Sequence, residues 1–316
     1  MIDSGGYYHG VLLLDKRAGL TSHDTVMEVR HAIRQRRVGH AGTLDKLAEG
    51  LLVVCIGRAT KIVQFLSGFD KTYVAEICLG RRSKTFDSEG VSVDEAVLSP
   101  PDLNSAALAK LVSEFTGRIK QRVPVYSAVR INGVRLHRLA REGVDVVPPE
   151  REVEIREIAV LEYHKPHLRL RITCSSGTYI RSLADDLGKR LGCGGYLSKL
   201  RRTAVGTLTL DGAVSSDDVP RLHGAGKLAD HLLPFSSVLT FSAIRINDDY
   251  EPYVVSGKSL RACDVIGVEG SFGVGDKIVL KNTRGEVLAV GTAGRSSHGV
   301  GNNGDGELFN YIRVLN

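Results

Sequence analysis

Two rhythms of apolar and polar residues run along this chain, one of period two and one near 3.6, and they mark its elements. Val11-Leu12-Leu13-Leu14 is an unbroken apolar run ended by the turn Asp15 to Gly19, which predicts a short buried strand. Val26, Val29 and Ile33 repeat at helical spacing behind Thr21-Ser22-His23-Asp24, an N-cap signal with an acid in the first turn. They predict an amphipathic helix over 23–36. Its end, Arg34-Gln35-Arg36-Arg37, suits the negative C-terminal pole of a helix dipole. Leu51 to Ile56 is apolar throughout and Lys71 to Leu79 alternates; both predict strands. Residues 83–103 are polar and carry Pro100-Pro101, a loop. Leu108, Leu111, Val112 and Phe115 share one face of a helix over 105–115.

Residues 117–150 are rich in Arg, Pro and Gly and hold no period, which predicts an irregular basic insertion. Long insertions of that kind inside compact domains are functional or mobile. Val153 to Tyr163 and Leu168 to Cys174 predict an antiparallel pair, with His164 and His167 in the loop between them. Gly177 to Gly188 turns into a helix that stops near Gly192, and the basic stretch Tyr196 to Thr203 leads into a strand over 205–210.

From about residue 241 the texture changes. Short β-like runs (265–268, 277–280, 287–290 and 311–315) alternate with Gly-rich turns, and they predict a small all-β module of barrel type. The chain therefore divides into a domain over 1–240, with the insertion 117–150, and a second over 241–316. Gly291 to Gly306 is too rich in glycine and polar residues to pack and predicts a flexible loop. Gly273-Val274-Gly275 lacks a phosphate-binding context and predicts a hairpin turn.

Composition narrows the class. With 316 residues, 42% hydrophobic and 25% charged, the chain is an ordinary globular protein with ample material for a core. Its net charge of +6 permits a polyanionic partner, and the clustering of Arg says more than the total. Cys55, Cys78, Cys174, Cys193 and Cys263 form no C-x-x-C pair, and the first three sit in strand-like runs, so they predict buried thiols in a reducing cytosol. No signal peptide, membrane-spanning run or zinc-spaced His/Cys cluster is legible. A cytoplasmic protein without membrane, metal or cofactor is expected.

The candidate chemistry sits in Gly39-His40-Ala41-Gly42-Thr43-Leu44-Asp45, a glycine-bearing loop between the basic helix end and the apolar strand. An Asp in such a loop ordinarily closes a turn or caps a helix. Here the neighbouring arginines would favour its charged form and hold it ionised at low pH. An ionised carboxylate on a basic surface is a candidate nucleophile toward nucleic acid.

These residues resemble the TruB-type tRNA pseudouridine synthases, relatives of the dyskerin-like enzymes. The resemblance runs from about Gly10 to Val214. It is carried by Gly19 to Asp24, Arg37 to Asp45, Lys71-Thr72-Tyr73, Tyr126-Ser127-Ala128, Leu139 to Gly143 and Gly177 to Leu183, in that order. The tail resembles the family's small RNA-binding PUA-type barrel. The resemblance implies an α+β fold, a mixed and largely antiparallel sheet flanked by helices. It implies an isomerase that extrudes the uridine at position 55 of the tRNA T-loop, breaks its glycosidic bond and rejoins the base through carbon 5. Asp45 matches the family's catalytic aspartate, Arg181 the arginine that pairs with it, and Tyr73 a tyrosine that stacks on the flipped base and moves a proton. Tyr179 and Leu200 match the walls of the uracil pocket. His40 matches a histidine that fills the gap left by the base, and Lys16 a basic residue near the site. Arg37, Arg130, Arg141, Lys199, Arg201 and Arg202 would grip phosphates. No cofactor is implied, and a monomer acting on the T-arm is expected.

The sequence departs from the family pattern at Arg17 and Lys46, which stand where prolines are usual, and at Glu49, Arg130 and His137. A second reading from another class is an RNA-binding folding factor without catalysis. Retention of Asp45, Tyr73 and Arg181 together argues against it, and the Thr21 to Asp24 run and the short tail favour a stand-alone enzyme over a guide-RNA-dependent subunit.

Overall fold

The computed structural model describes residues 2–91, 98–127, 129–131, 133–144, 146–301 and 307–315, without the side chains of His137 and Arg141. The first part of the chain forms β1 (Gly10–Lys16), α1 (Ser22–Ile33), β2 (Val38–His40), β3 (Glu49–Ile56), α2 (Val63–Leu66) and β4 (Lys71–Leu79). Next come α3 (Ser105–Ser113), β5 (Gly117–Arg122), β6 (Arg130–Ile131), β7 (Val134–Arg135) and α4 (Leu136–Arg141). They are followed by β8 (Glu150–His164), β9 (His167–Cys174), α5 (Ile180–Arg190), β10 (Gly195–Val205), β11 (Leu208–Thr209), β12 (Val214–Ser215) and β13 (Leu232–Leu233). All of these strands except β6 and β7 belong to one sheet of order β12-β1-β3-β10-β4-β9-β8-β5, with β2, β11 and β13 at its sides. Only β1–β12 and β3–β10 pair in parallel, so the sheet is mixed and largely antiparallel, as expected.

The apolar run on β3 explains the layering. Successive side chains of a strand point to opposite faces. Leu52, Val54 and Ile56 pack against Val26, Val29 and Ile33 of α1, while Leu51, Val53 and Cys55 face Phe65 and Leu66 of α2. Burying each Leu, Ile or Val here stabilises the fold by about 1.5–3 kcal/mol. Helix α1 starts where the sequence predicts: Thr21 and Asp24 form a reciprocal capping box. It stops at Ile33, earlier than expected, because Arg34 turns into the left-handed region at φ 52°.

The remaining strands form a second sheet: β14 (Ala243–Ile246), β15 (Val265–Glu269), β16 (Lys277–Lys281), β17 (Val287–Ala293) and β18 (Phe309–Val314), in order β15-β14-β16-β17-β18. Val279, Val287, Val290 and Leu315 from this part share one apolar cluster with Leu51, Val53, Phe65 and Leu66, so the two sheets are joined by a common core.

Four expectations need correction. The stretch 196–203 is no approach to a strand: β10 runs unbroken from Gly195 to Val205, and its alternation is hidden by register shifts between Leu197 and Lys199 and between Arg202 and Ala204. The insertion begins later than residue 117, since β5 pairs residue for residue with β8. Gly291 is inside β17, so the predicted loop starts beyond Ala293; residues 302–306 lie outside the described residues. Gly273 to Gly275 closes no hairpin, because β15 and β16 both pair with β14 and not with each other.

Candidate active site

Asp45 lies on the turn between β2 and β3, and that turn is fixed from four sides. Ser22, buried in the first turn of α1, accepts the Leu44 N–H at 2.8 Å and donates to the Leu44 carbonyl at 3.2 Å. Ala48 N–H closes onto the Asp45 carbonyl at 3.1 Å, and Gly19 N–H onto that of Lys46 at 2.8 Å. From below, Arg202 donates to the carbonyls of Leu51, Thr43 and Gly42 at 2.7, 3.4 and 3.1 Å. Lys16 donates to those of Ala48 and Arg17 at 2.6 and 2.9 Å. Gly50 lets β3 and β10 approach closely enough for this: at φ +96°, an added Cβ would lie 2.3 Å from the Arg202 carbonyl oxygen.

Arg202 is thus not placed as the sequence implied, while Lys16 lies near the site as expected, but buried beneath the turn. Arg202 is 1% exposed and Lys16 0%, so neither reaches a phosphate or the face of a base. Their charge goes to backbone carbonyls of the Asp45 turn and its neighbours. Burial, reinforced by Arg202, pushes the Lys16 ammonium down to about 8. Lys71 beneath the same turn is pushed down to about 8 for the same two reasons, and it donates to the carbonyls of Ser67 and Phe69.

Arg181 comes from the first turn of α5 and is 5% exposed. Its Nη2 donates to Asp45 Oδ1 at 3.2 Å, and its Nε lies 3.2 Å from Oδ2 without hydrogen-bond alignment. On its other side Nη1 is 3.8 Å from Asp87 Oδ2. The guanidinium is shared between two carboxylates, one of which the sequence reading did not single out. Asp87 is 4% exposed. It is held by Glu89 N–H at 3.1 Å, by the Thr85 hydroxyl, and by a parallel bridge that sets its backbone beside Leu197 of β10. Its only local signal is the cap pattern Asp87-Ser88-Glu89; its role is tertiary.

Burial of the pair reverses one expectation. Asp45 is not held in the low carboxylate range. Burial is the largest influence and pushes its carboxyl up; Arg181 opposes it, and Asp87 pushes up again. The side chain still opens on one side, being 36% exposed. The cations expected to lower it lie elsewhere: Arg34, Arg36 and Arg37 are exposed beyond the helix end.

The other expected site residues gather around this pair. Tyr73 of β4 and Leu200 of β10 are buried in one apolar cluster with Leu44 and Ile180. Burial pushes the Tyr73 hydroxyl up, against the opposing pull of Arg202, which stands opposite it in the β10–β4 register. The Tyr179 ring lies 5.7 Å from the Arg181 guanidinium carbon. Its backbone is clamped by Gln121 of β5, which accepts from Tyr179 N–H at 2.7 Å and donates to its carbonyl at 3.0 Å. Gln121 is a second residue that the sequence reading missed, hidden in the supposed insertion. His40 ends β2; burial and then Arg202 hold its imidazole below the ordinary range.

The expected phosphate contacts divide. Arg37 and Arg130 are exposed. Lys199 is paired with Glu76 at 3.2 Å, and Arg201 with Asp15 at 2.6 Å and Glu49 at 3.1 Å, so β10 presents neutralised cations. The Arg141 side chain lies outside the described residues. Arg17, at a usual proline position, pairs with Glu28 at 2.9 Å and with Asp217.

Comparison with known proteins places this geometry. Residues 30–180 match the N-terminal domain of the TruB family of pseudouridylate synthases, 181–240 a tRNA pseudouridylate synthase B C-terminal domain, and 242–300 a PUA domain. The chain is 39% identical to tRNA pseudouridine synthase B of Syntrophus aciditrophicus over 89% of its length and 90% of the relative's. It is 37% identical to the Bacillus pumilus protein of the same name, over 89% and 92%. Its fold matches a chain in the crystal structure of a Cbf5-Nop10-Gar1 complex with a TM-score of 0.78 at 25% identity, covering 98% of this chain and 85% of that one. The chain belongs to the TruB family of tRNA pseudouridine synthases, isomerases that convert uridine to pseudouridine in tRNA.

Proposed function

We propose that this enzyme acts on the uridine at position 55 in the T-loop of tRNA, as a monomer and in the cytoplasm, with Asp45 as its reacting carboxylate. Residues 1–240 form the catalytic unit and 241–316 the RNA-binding unit. The observation that carries the reading is the buried Arg181 guanidinium shared by Asp45 and Asp87 at the edge of an apolar wall of Tyr73 and Leu200.

The reaction breaks the bond from N1 to carbon 1′ of the ribose and forms one from carbon 5. Carbon 5 loses a proton and N1 gains one, so nothing is added or oxidised. A base stacked in a loop must first be extruded. His40, kept neutral by burial, suits the gap it leaves. The Tyr179 ring and Leu200 suit the faces of a pyrimidine, a flat apolar surface with polar edges. Asp45 attacks carbon 1′, attacks carbon 6, or assists elimination at the ribose, and in each route it reacts as the anion. Arg181 supplies the opposing charge and orients the carboxylate. The fork is loose in the free enzyme, as catalytic hydrogen bonds often are before substrate arrives. Tyr73, with its hydroxyl pushed up, remains a proton donor at neutral pH.

The test is incubation with an unmodified T-arm stem-loop, without guide RNA, followed by mapping of pseudouridine. Wild type yields product at the T-loop uridine. Asp45→Asn yields none and keeps most of its RNA affinity. Turnover by Asp45→Asn overturns the assigned role.

A further inference from the structure

Between β4 and α3 the backbone takes up a conformation that its sequence disfavours. Among the described residues other than glycine, two lie in the left-handed region, Arg34 and Phe86. Arg34 ends α1, where that conformation is common. Phe86, at φ 65°, ends no helix, and a bulky side chain there is a genuine outlier. Such strain persists only where the surroundings enforce it, and it gathers at functional sites. The next residue is Asp87, the second carboxylate on Arg181. Both residues are held on several sides. The Ser83 carbonyl accepts the Phe86 N–H at 3.2 Å, and the Ser83 hydroxyl donates to the Asp87 carbonyl at 2.5 Å. The Phe86 carbonyl accepts the Leu197 N–H of β10 at 2.9 Å, and Asp87 bridges to the same residue. The Phe86 ring centroid is 5.6 Å from the Lys189 ammonium, itself anchored by Asp185. Lys189 and Arg181 are about two turns apart on α5, so one helix holds residue 86 by its ring and residue 87 by its carboxylate.

We propose that Phe86 is a positioning residue for the reaction: its left-handed backbone, held by Lys189 and by the Leu197 N–H, turns Asp87 onto Arg181 and so divides the guanidinium between the two aspartates. A residue at 86 that returns to negative φ redirects the chain leaving it, and Asp87 with it. Arg181 then belongs to Asp45 alone. Around Asp45 stand Arg181 from α5, Asp87 from this loop, Lys16 from β1 and Tyr73 from β4. Of the charged groups that act on the Asp45 carboxyl, Asp87 is the one that pushes it up. Without Asp87 the carboxylate is a weaker base and a weaker nucleophile, and the guanidinium fork loses its second anchor. The inference rests on the proposed role of Asp45 as the reacting carboxylate.

The experiment compares Phe86→Gly with Phe86→Ala on the T-arm stem-loop. Both lose the ring, and they differ by one Cβ. Glycine enters the left-handed region freely, whereas alanine populates it roughly 5- to 30-fold less. Phe86→Gly should therefore keep the kcat of wild type and its acid limb in kcat/KM. Phe86→Ala should lose kcat by up to that same factor with KM unchanged, and its acid limb should move to lower pH. Asp87→Asn moves the limb in the same direction, and adding Phe86→Ala to it moves the limb no further, because the two changes act through one contact. Should Phe86→Ala not fold, Lys189→Met gives the same readout: it frees the ring, slows wild type and leaves Phe86→Gly unaffected. A Phe86 that merely fills space predicts the opposite order, with Gly the worse variant, since glycine also loosens the unfolded chain. Equal kcat and equal acid limbs for Gly and Ala, a Gly variant slower than the Ala variant, or equal slowing by Lys189→Met in both backgrounds overturns the inference. If wild type makes no pseudouridine in the stem-loop, or Asp45→Asn makes it, the functional reading fails instead.

Discussion

At the residue scale, the raised carboxyl of Asp45 has two measurable consequences. Because Asp45 reacts as an anion, kcat/KM falls on acidification with a midpoint above the ordinary 3.8, not below it. Replacing Arg181 by Met removes the charge that opposes burial and moves this limb to still higher pH. The second consequence is on stability. A carboxyl raised on folding binds protons more tightly in the native state, so its contribution falls as pH rises from 3.8 through the raised value. Asp45→Asn therefore melts above wild type at pH 7 and equals it below pH 3.8, where the acid is neutral in both states. A variant less stable than wild type at pH 7 would contradict this sign. Arg202 makes the opposite case. Arg202→Met leaves the Gly42, Thr43 and Leu51 carbonyls without their donor, at about 1–3 kcal/mol for each buried acceptor left unpaired. Denaturant unfolding measures the loss. Activity falls with it, since the Asp45 turn loses its floor.

At the element scale, strands were legible where side chains alternate or run apolar, as on β3 and β4, and the helix starts were legible from their caps. The Asp45 turn was legible from its glycines and from family resemblance. What escaped were contacts that depend on tertiary pairing. Asp87 sits in a polar stretch whose meaning comes from its bridge to β10. Gln121 looks like one polar residue in a basic strand until β5 docks beside α5. Arg202 reads as an RNA-facing cation because a sequence shows charge but not direction, and a buried cation satisfied by carbonyls leaves no motif. Gly50 offers a test of the β3–β10 seam. Gly50→Ala puts a Cβ against the Arg202 backbone at a positive φ, so neither rotamer change nor side-chain shift relieves it. The variant is expected to lose more stability than Gly117→Ala, which also has positive φ but no atom within 4 Å. Equal losses in denaturant titrations would show that the two strands part easily enough to admit the added methyl group.

At the scale of the whole molecule, the common core of the two sheets predicts how the protein unfolds. Leu66 from α2 and Leu315 from the end of the second sheet are both buried in the cluster that also holds Leu51, Val53, Val279 and Val290. Apolar contact of that extent couples the stability of the parts it joins, because neither face can leave without exposing the other to water. Leu66→Ala and Leu315→Ala should each cost about 2–5 kcal/mol, the range for emptying a packed leucine site. Each should shift a single transition seen alike by far-ultraviolet circular dichroism and by tyrosine fluorescence. Were the second sheet an independent passenger, Leu315→Ala would instead split the melt, with one step displaced and the other fixed. The same coupling ties stability to RNA binding. A tRNA that binds only the native state should raise the midpoint of that one transition in Leu315→Ala as in wild type, and move both spectroscopic signals together.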